Sequence, residues 1–440
     1  MGVSRCKCLL ICLVLLGGCG GGGAQEPVAP PARLVVWQYT SPESKPPILP
    51  FKTPPQPAKG AAVTDPVYGT KIVRVTDRSV DGYRSPGIVN EYARSDPENA
   101  DGTLALLRGT EGDWHLYEVA TNRHIRALSF RDNPDPEPRW RPTHPNVVTF
   151  VEGASLWDCD VTTGAVKLVR DFASEAPGCT FVRHRYEGEP SRDGRYFCLR
   201  LEDEDYSLLG VVCYDRQEDR ILGRLMPAEG DWDWVGMDLS GSHCILGPGD
   251  TTDGFSYHRD FTHPIRLPHG LGHADVALDA SGRDVLVYQN AATDWMAMVD
   301  LETGAETNLI PIPFSDNTDI GLHISGNCHD RPGWVLVSTY GGQLQARSWM
   351  DQCLFMLQLR EHPLVWRLAQ TFCLQDSARE ADYFGEAFAA INHQGTRVWW
   401  GANWNARGAA NVGYETYRAD LPAGWEERAV TGAGMDLLQE

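Results

Sequence analysis

The chain has 440 residues, a net charge of −20 and no basic block anywhere along it. That balance argues against nucleic acid as a partner and, local patches aside, against polyanionic ligands. Its 12 cysteines include no Cys-x-x-Cys or Cys-x-x-His spacing, which argues against a cysteine-based zinc site and leaves disulfides open.

Residues 1–18 read as a signal peptide. Arg5 and Lys7 precede an apolar stretch from Cys8 to Leu16, too short for a bilayer span of ~20 residues. Leu16-Gly17-Gly18-Cys19 resembles the lipobox of bacterial lipoproteins. The resemblance implies cleavage before Cys19, acyl chains on it and a membrane as partner; Gly20 in place of Asp then implies an exported protein anchored at the outer membrane. An ordinary cleaved secretory signal is the alternative. Gly20–Gly23 and the prolines from Pro27 to Pro57 predict a tether over 19–62.

From residue 63 to 440 a short unit recurs: a strand, a Gly-type turn, an apolar strand, a loop and a further strand. The first turns fall near Gly102, Pro145, Gly194, Gly241, Gly282, Gly333 and Gly395, roughly 40–60 residues apart, the scale of a four-stranded propeller blade. The apolar runs after them (LALL, VVTFV, YFCL, CILG, DVLVY, WVLVS, RVWW) suit buried second strands. We therefore expect an all-β, seven-bladed β-propeller of four-stranded antiparallel blades, rather than a large sandwich. GTKIVRVTD (69–77) has no blade of its own, so it is expected to join the last blade and close the ring. Cys198 and Cys213 flank a turn near Asp205, and Cys353 and Cys373 flank His362-Pro363. Each pair is either a cross-strand disulfide or two small core residues face to face.

In a propeller, residues just before each innermost strand converge on one mouth of the central channel. These positions hold Glu91, Arg139 with Trp140, Glu187 with Glu189, Trp234, His273 with Asp275, His323 and Glu386. Such convergence suits a ligand site, although channel mouths are polar in any propeller. His273 and His323 occupy equivalent places in adjacent blades and offer either two ligands for a divalent metal or a base. Asp275 is a candidate to orient His273. Trp140, Trp234 and Trp404 are candidates to stack on sugar faces or to pack blades.

The segments GHAD (272–275), HISG (323–326), RPGWVLVSTY (331–340) and the Glu386…Asn392-x-x-GTRV…Asn403-Trp404 run resemble propeller proteins related to oligogalacturonate lyase. The resemblance implies a seven-bladed propeller with a histidine-rich centre holding manganese or a similar metal. It also implies β-elimination of uronate glycosides, with His273 and His323 as two metal ligands. Where that pattern has Glu-Pro-His, this chain has Glu386-Ala387-Phe388, and phenylalanine ligates no metal. Glu386 or His329 is left to complete a metal site, His393 lying in a turn on the far side of its strand. Three readings remain. One is an anchored propeller binding a ligand, carbohydrate by preference, as a degenerate relative of polysaccharide lyases; the others are an active metal-dependent lyase and a protein–protein scaffold.

Overall fold

The recurring hydrophobic unit folds into seven consecutive antiparallel sheets. This computed structural model describes residues 35–83, 85–131, 133, 135–226, 231–249, 252–268, 271–314, 320–343, 345–375, 382–406 and 413–432. The signal segment and Cys19 lie outside them. Blades 1 to 5 span Ile88–Leu128, Arg139–Asp171, Phe181–Leu225, Val235–Arg266 and Leu271–Pro311. Blades 6 and 7 begin at Gly321 and Ala390; the N-terminal part of the chain gives blade 6 a fifth strand, Val35–Gln38, and gives blade 7 its fourth and fifth, Lys71–Arg74 and Ala62–Thr64. The expected seven-bladed propeller is the fold.

The apolar second strands are continuous because each is buried on both faces. Side chains alternate along a strand. In blade 4, Cys244 and Leu246 pack toward blade 3 while Ile245 packs toward blade 5. The core is consequently a series of layers between neighbouring blades, and Trp399 fills the layer between blades 7 and 1. At the turns into the second strands, Gly194 and Gly241 take φ of +68° and +74°. A Cβ on Gly241 would also collide with the Tyr196 ring, so only glycine turns there at low cost.

Lys71–Arg74 closes the ring as expected, pairing Ile72 with Ala419 and Arg74 with Tyr417. Glu415 latches the seam. It accepts from Thr76 Oγ1 at 2.6 Å, Tyr83 OH at 2.9 Å, and Arg74 Nη2 and the Arg78 backbone N at 3.2 Å each.

Two expectations differ. The segment expected as a tether over 19–62 is folded from Val35 onward: Val35–Gln38 pairs with Leu364–Gln370 as the outer strand of blade 6. The prolines after it do not leave the chain free, because their carbonyls still accept hydrogen bonds. Arg367 Nη1 donates to Pro47 O at 2.9 Å, and Trp404 Nε1 to Pro54 O at 2.8 Å. The result is a strap across blades 6 and 7. The disulfide candidates are all free thiols. Cys198 and Cys213 do stand opposite each other in register, as small buried core residues. Cys353 instead stands opposite Gln370, and Cys373 lies beyond the end of that strand.

Candidate functional site

His273 and His323 meet at the channel mouth with ring centroids 4.6 Å apart, edge to face. A register irregularity between Leu271 and Ala274 in the innermost strand of blade 5 positions His273. His323 sits on the corresponding strand of blade 6, Gly321–Ser325. There Gly321 stands opposite Tyr340, and its missing side chain leaves room for the Tyr340 ring. That ring stacks on His323 at 5.2 Å and 17°.

Glu386 ends a short 3-10 turn, Tyr383–Glu386. The chain then reverses through Ala387 and Phe388, both with positive φ (+66° and +46°), a conformation costly for residues with a Cβ. The reversal places Glu386 Oε2 3.1 Å from His323 Nε2 and turns the Phe388 ring onto His323 at 4.6 Å. Gln375 Nε2 donates to the other Glu386 oxygen at 3.3 Å. Tyr92 completes the wall, 5.2 Å from both His323 and Phe388.

Burial sets the charge state. It pushes His273 down to about 3, helped by His323 and the Arg94 guanidinium, and pushes His323 down to about 3, helped by Arg94. Burial also raises the Glu386 carboxyl, against a hydrogen bond from Tyr340. At neutral pH the site offers two uncharged imidazoles, which suits hydrogen bonding or metal ligation. Arg94 is itself held at 2.5 Å by Glu187 and lies 4.4 Å above the Trp234 ring. This ion pair lines both a cavity of about 370 Å³ at the mouth beside His273 and one of about 180 Å³ deeper in the channel.

The remaining candidates do other work. Arg139 is buried and tied to its neighbours, pairing with Glu91 at 2.9 Å and with Glu189 while donating to the carbonyls of Tyr186 and Gly188. Asp275 does not orient His273. Its carboxylate accepts the backbone N–H of Val276 at 2.8 Å and of Gly326 at 2.7 Å, stitching blade 5 to blade 6, and burial raises it to about 7. Trp404 lies under the strap, stacked on Tyr417 at 4.7 Å, away from the histidines. Trp234 is capped by Arg94, and Trp140 donates to Pro97 O at 2.9 Å. His329 and His393 stack on each other at 5.8 Å and line the deeper cavity, with His393 Nδ1 3.0 Å from Asp96.

Tyr340, Gln375 and Arg94 escaped the sequence reading. The pairing of a glycine just before His323 with a tyrosine ending the next strand is the signal that points to Tyr340.

Fold and site together define a seven-bladed propeller with a histidine–carboxylate cluster at one channel mouth. Among solved structures it resembles an oligogalacturonate lyase in complex with manganese, at TM-score 0.56 and 14% identity over 83% of this chain and 99% of that one. An oligogalacturonate lyase from Vibrio parahaemolyticus is equally similar, at TM-score 0.56 and 14% identity over 84% of this chain and 100% of that one. No protein-family model and no curated protein matches the sequence. At 14% identity the structural match establishes a shared fold alone.

The residues around His273 and His323 do not fit a manganese ion. His323 Nε2 lies 3.1 Å from Glu386 Oε2, but among the described residues no third ligand atom joins these two within 4.8 Å. The Phe388 ring, which offers no ligand atom, packs on His323 at 4.6 Å. Among the described residues, the three-residue group of His, Cys, Asp or Glu whose ligand atoms all come within 4.8 Å of one another is His243, His258 and Glu302, which lies elsewhere.

Proposed function

We propose that this chain is a lipid-anchored, exported propeller that binds a carbohydrate at the His273–His323 mouth without cleaving it. The observation that carries this reading is the Phe388 ring packed on His323 where a metal-binding imidazole would be needed. What remains suits a hydroxylated ligand: aromatic walls from Tyr92 and Tyr340, neutral imidazoles, and the Glu386 carboxyl. Anchoring through Cys19 is supported by the lipobox-like Leu16-Gly17-Gly18-Cys19.

The test is calorimetric titration of the processed protein with oligogalacturonides and neutral oligosaccharides, beside an ultraviolet assay for unsaturated product with added manganese. We expect binding that weakens at least tenfold in His323→Ala, and no product. Phe388→His should raise manganese affinity, since it returns an imidazole to a site holding two others. Chelator-sensitive product from the wild type would make the chain a polysaccharide lyase. Absence of binding to any oligosaccharide would leave a protein–protein scaffold.

A further inference from the structure

We propose that His243, His258 and Glu302 form a zinc site on the outer seam between blades 4 and 5, remote from the channel. His243 and His258 are direct cross-strand partners in blade 4, with ring centroids 5.3 Å apart. Glu302 comes from the turn after Trp295–Asp300 in blade 5, a turn held by Asp300 Oδ1 accepting the Glu302 backbone N–H at 3.1 Å. Its Oε2 lies 3.0 Å from His243 Nε2 and 3.8 Å from His258 Nε2. Tetrahedral zinc with bonds of 2.0–2.2 Å holds its ligand atoms about 3.4 Å apart, so these separations bracket the required one.

The surroundings of His243 favour a metal ligand over a chance ion pair. Asp238 accepts both the His243 backbone N–H at 3.0 Å and a hydrogen bond from Nδ1 at 2.7 Å, with Ser240 Oγ donating to the same carboxylate at 3.1 Å. A carboxylate on Nδ1 fixes the tautomer whose free Nε2 lone pair points at the metal position. A second imidazole converges on the same carboxylate oxygen, which a simple His–Glu pair does not need. His263 stacks on His258 at 4.5 Å and steadies that ring. The side chains of His258 and Glu302 are 39% and 67% exposed, so they can close on an ion and leave a position for water. Two imidazoles and one carboxylate select zinc over magnesium or calcium, which prefer all-oxygen sites.

This site is independent of the carbohydrate reading. The experiment titrates the metal-stripped full chain with zinc chloride by calorimetry. Cobalt substitution is followed by visible absorption, and thermal midpoints are taken with and without metal. We expect one zinc per chain and a higher midpoint with zinc. His258→Gln and Glu302→Gln, both at exposed positions that leave the core intact, should each weaken binding at least tenfold. The pair His273→Gln and His323→Gln should leave it unchanged. Failure of the wild type to bind zinc stoichiometrically overturns the site, as does undiminished binding in both His258→Gln and Glu302→Gln. Loss of binding in the channel pair would move the metal to the channel.

Discussion

His323 has both ring nitrogens inside the protein, one on Glu386 and one without a partner. An imidazole in that setting resists protonation, and its neighbour His273 does too. Both are pushed down to about 3 in the folded chain, against about 6.5 in an unfolded one. Between those values the unfolded state binds more protons, so the stability these neutral rings support is present above about pH 6.5 and is lost as pH falls toward 3. Replacing both by glutamine removes that dependence. We expect the double variant to lose less stability than the parent between pH 7 and pH 4, by on the order of 6 kcal/mol. Parallel curves of midpoint against pH would show the rings to be solvated. At this scale the sequence placed the two histidines and Glu386 together correctly, because spacing within a repeat determines height in the channel. It offered Asp275 as a partner for His273 and left Trp404 between stacking on a sugar and packing blades, and the structure packs Trp404 on Tyr417. Asp275 is drawn to the Gly326 amide of the next blade, and Trp404 lies under a strap supplied by Pro54, some 350 residues away. No local pattern records either partner.

The strands themselves were legible, since burial on both faces produces apolar runs of recognisable length. The strap was not. Its prolines read as a linker, yet one strand ladder and a few carbonyl acceptors dock it. The N-terminal strands of blades 6 and 7 therefore have separable roles. Lys71–Arg74 closes the ring, and Val35–Gln38 covers the exposed edge of blade 6. Glu415→Gln keeps the size of the latch but removes its charge opposite Arg74 and one acceptor oxygen. We expect a loss of about 2–3 kcal/mol in chemical denaturation. Removing residues 35–57 should lower the thermal midpoint by several degrees, because Tyr39 and Trp37 pack on the core of blades 5 and 6, while leaving the propeller folded, because the ring closes through Lys71–Arg74. A truncated chain as stable as the parent would mean that the strap is merely draped on the surface.

For the whole molecule, the propeller leaves no described helix long and apolar enough to cross a membrane. The proposed anchor is Cys19. Cys19→Ser should abolish labelling by a fatty-acid probe and release the chain from washed membranes; retention in the membrane fraction would remove the lipoprotein reading. The circular architecture has a kinetic consequence as well. Arg74 and Glu415, which meet at the seam, are 341 positions apart in the chain. Bringing two such points together costs about 5 kcal/mol of chain entropy before any contact there rewards it. Folding of the ring should accordingly end at that junction, waiting on the last segment of the chain to be synthesised. In the finished protein, the same junction is where a protease or a mechanical pull would first gain entry.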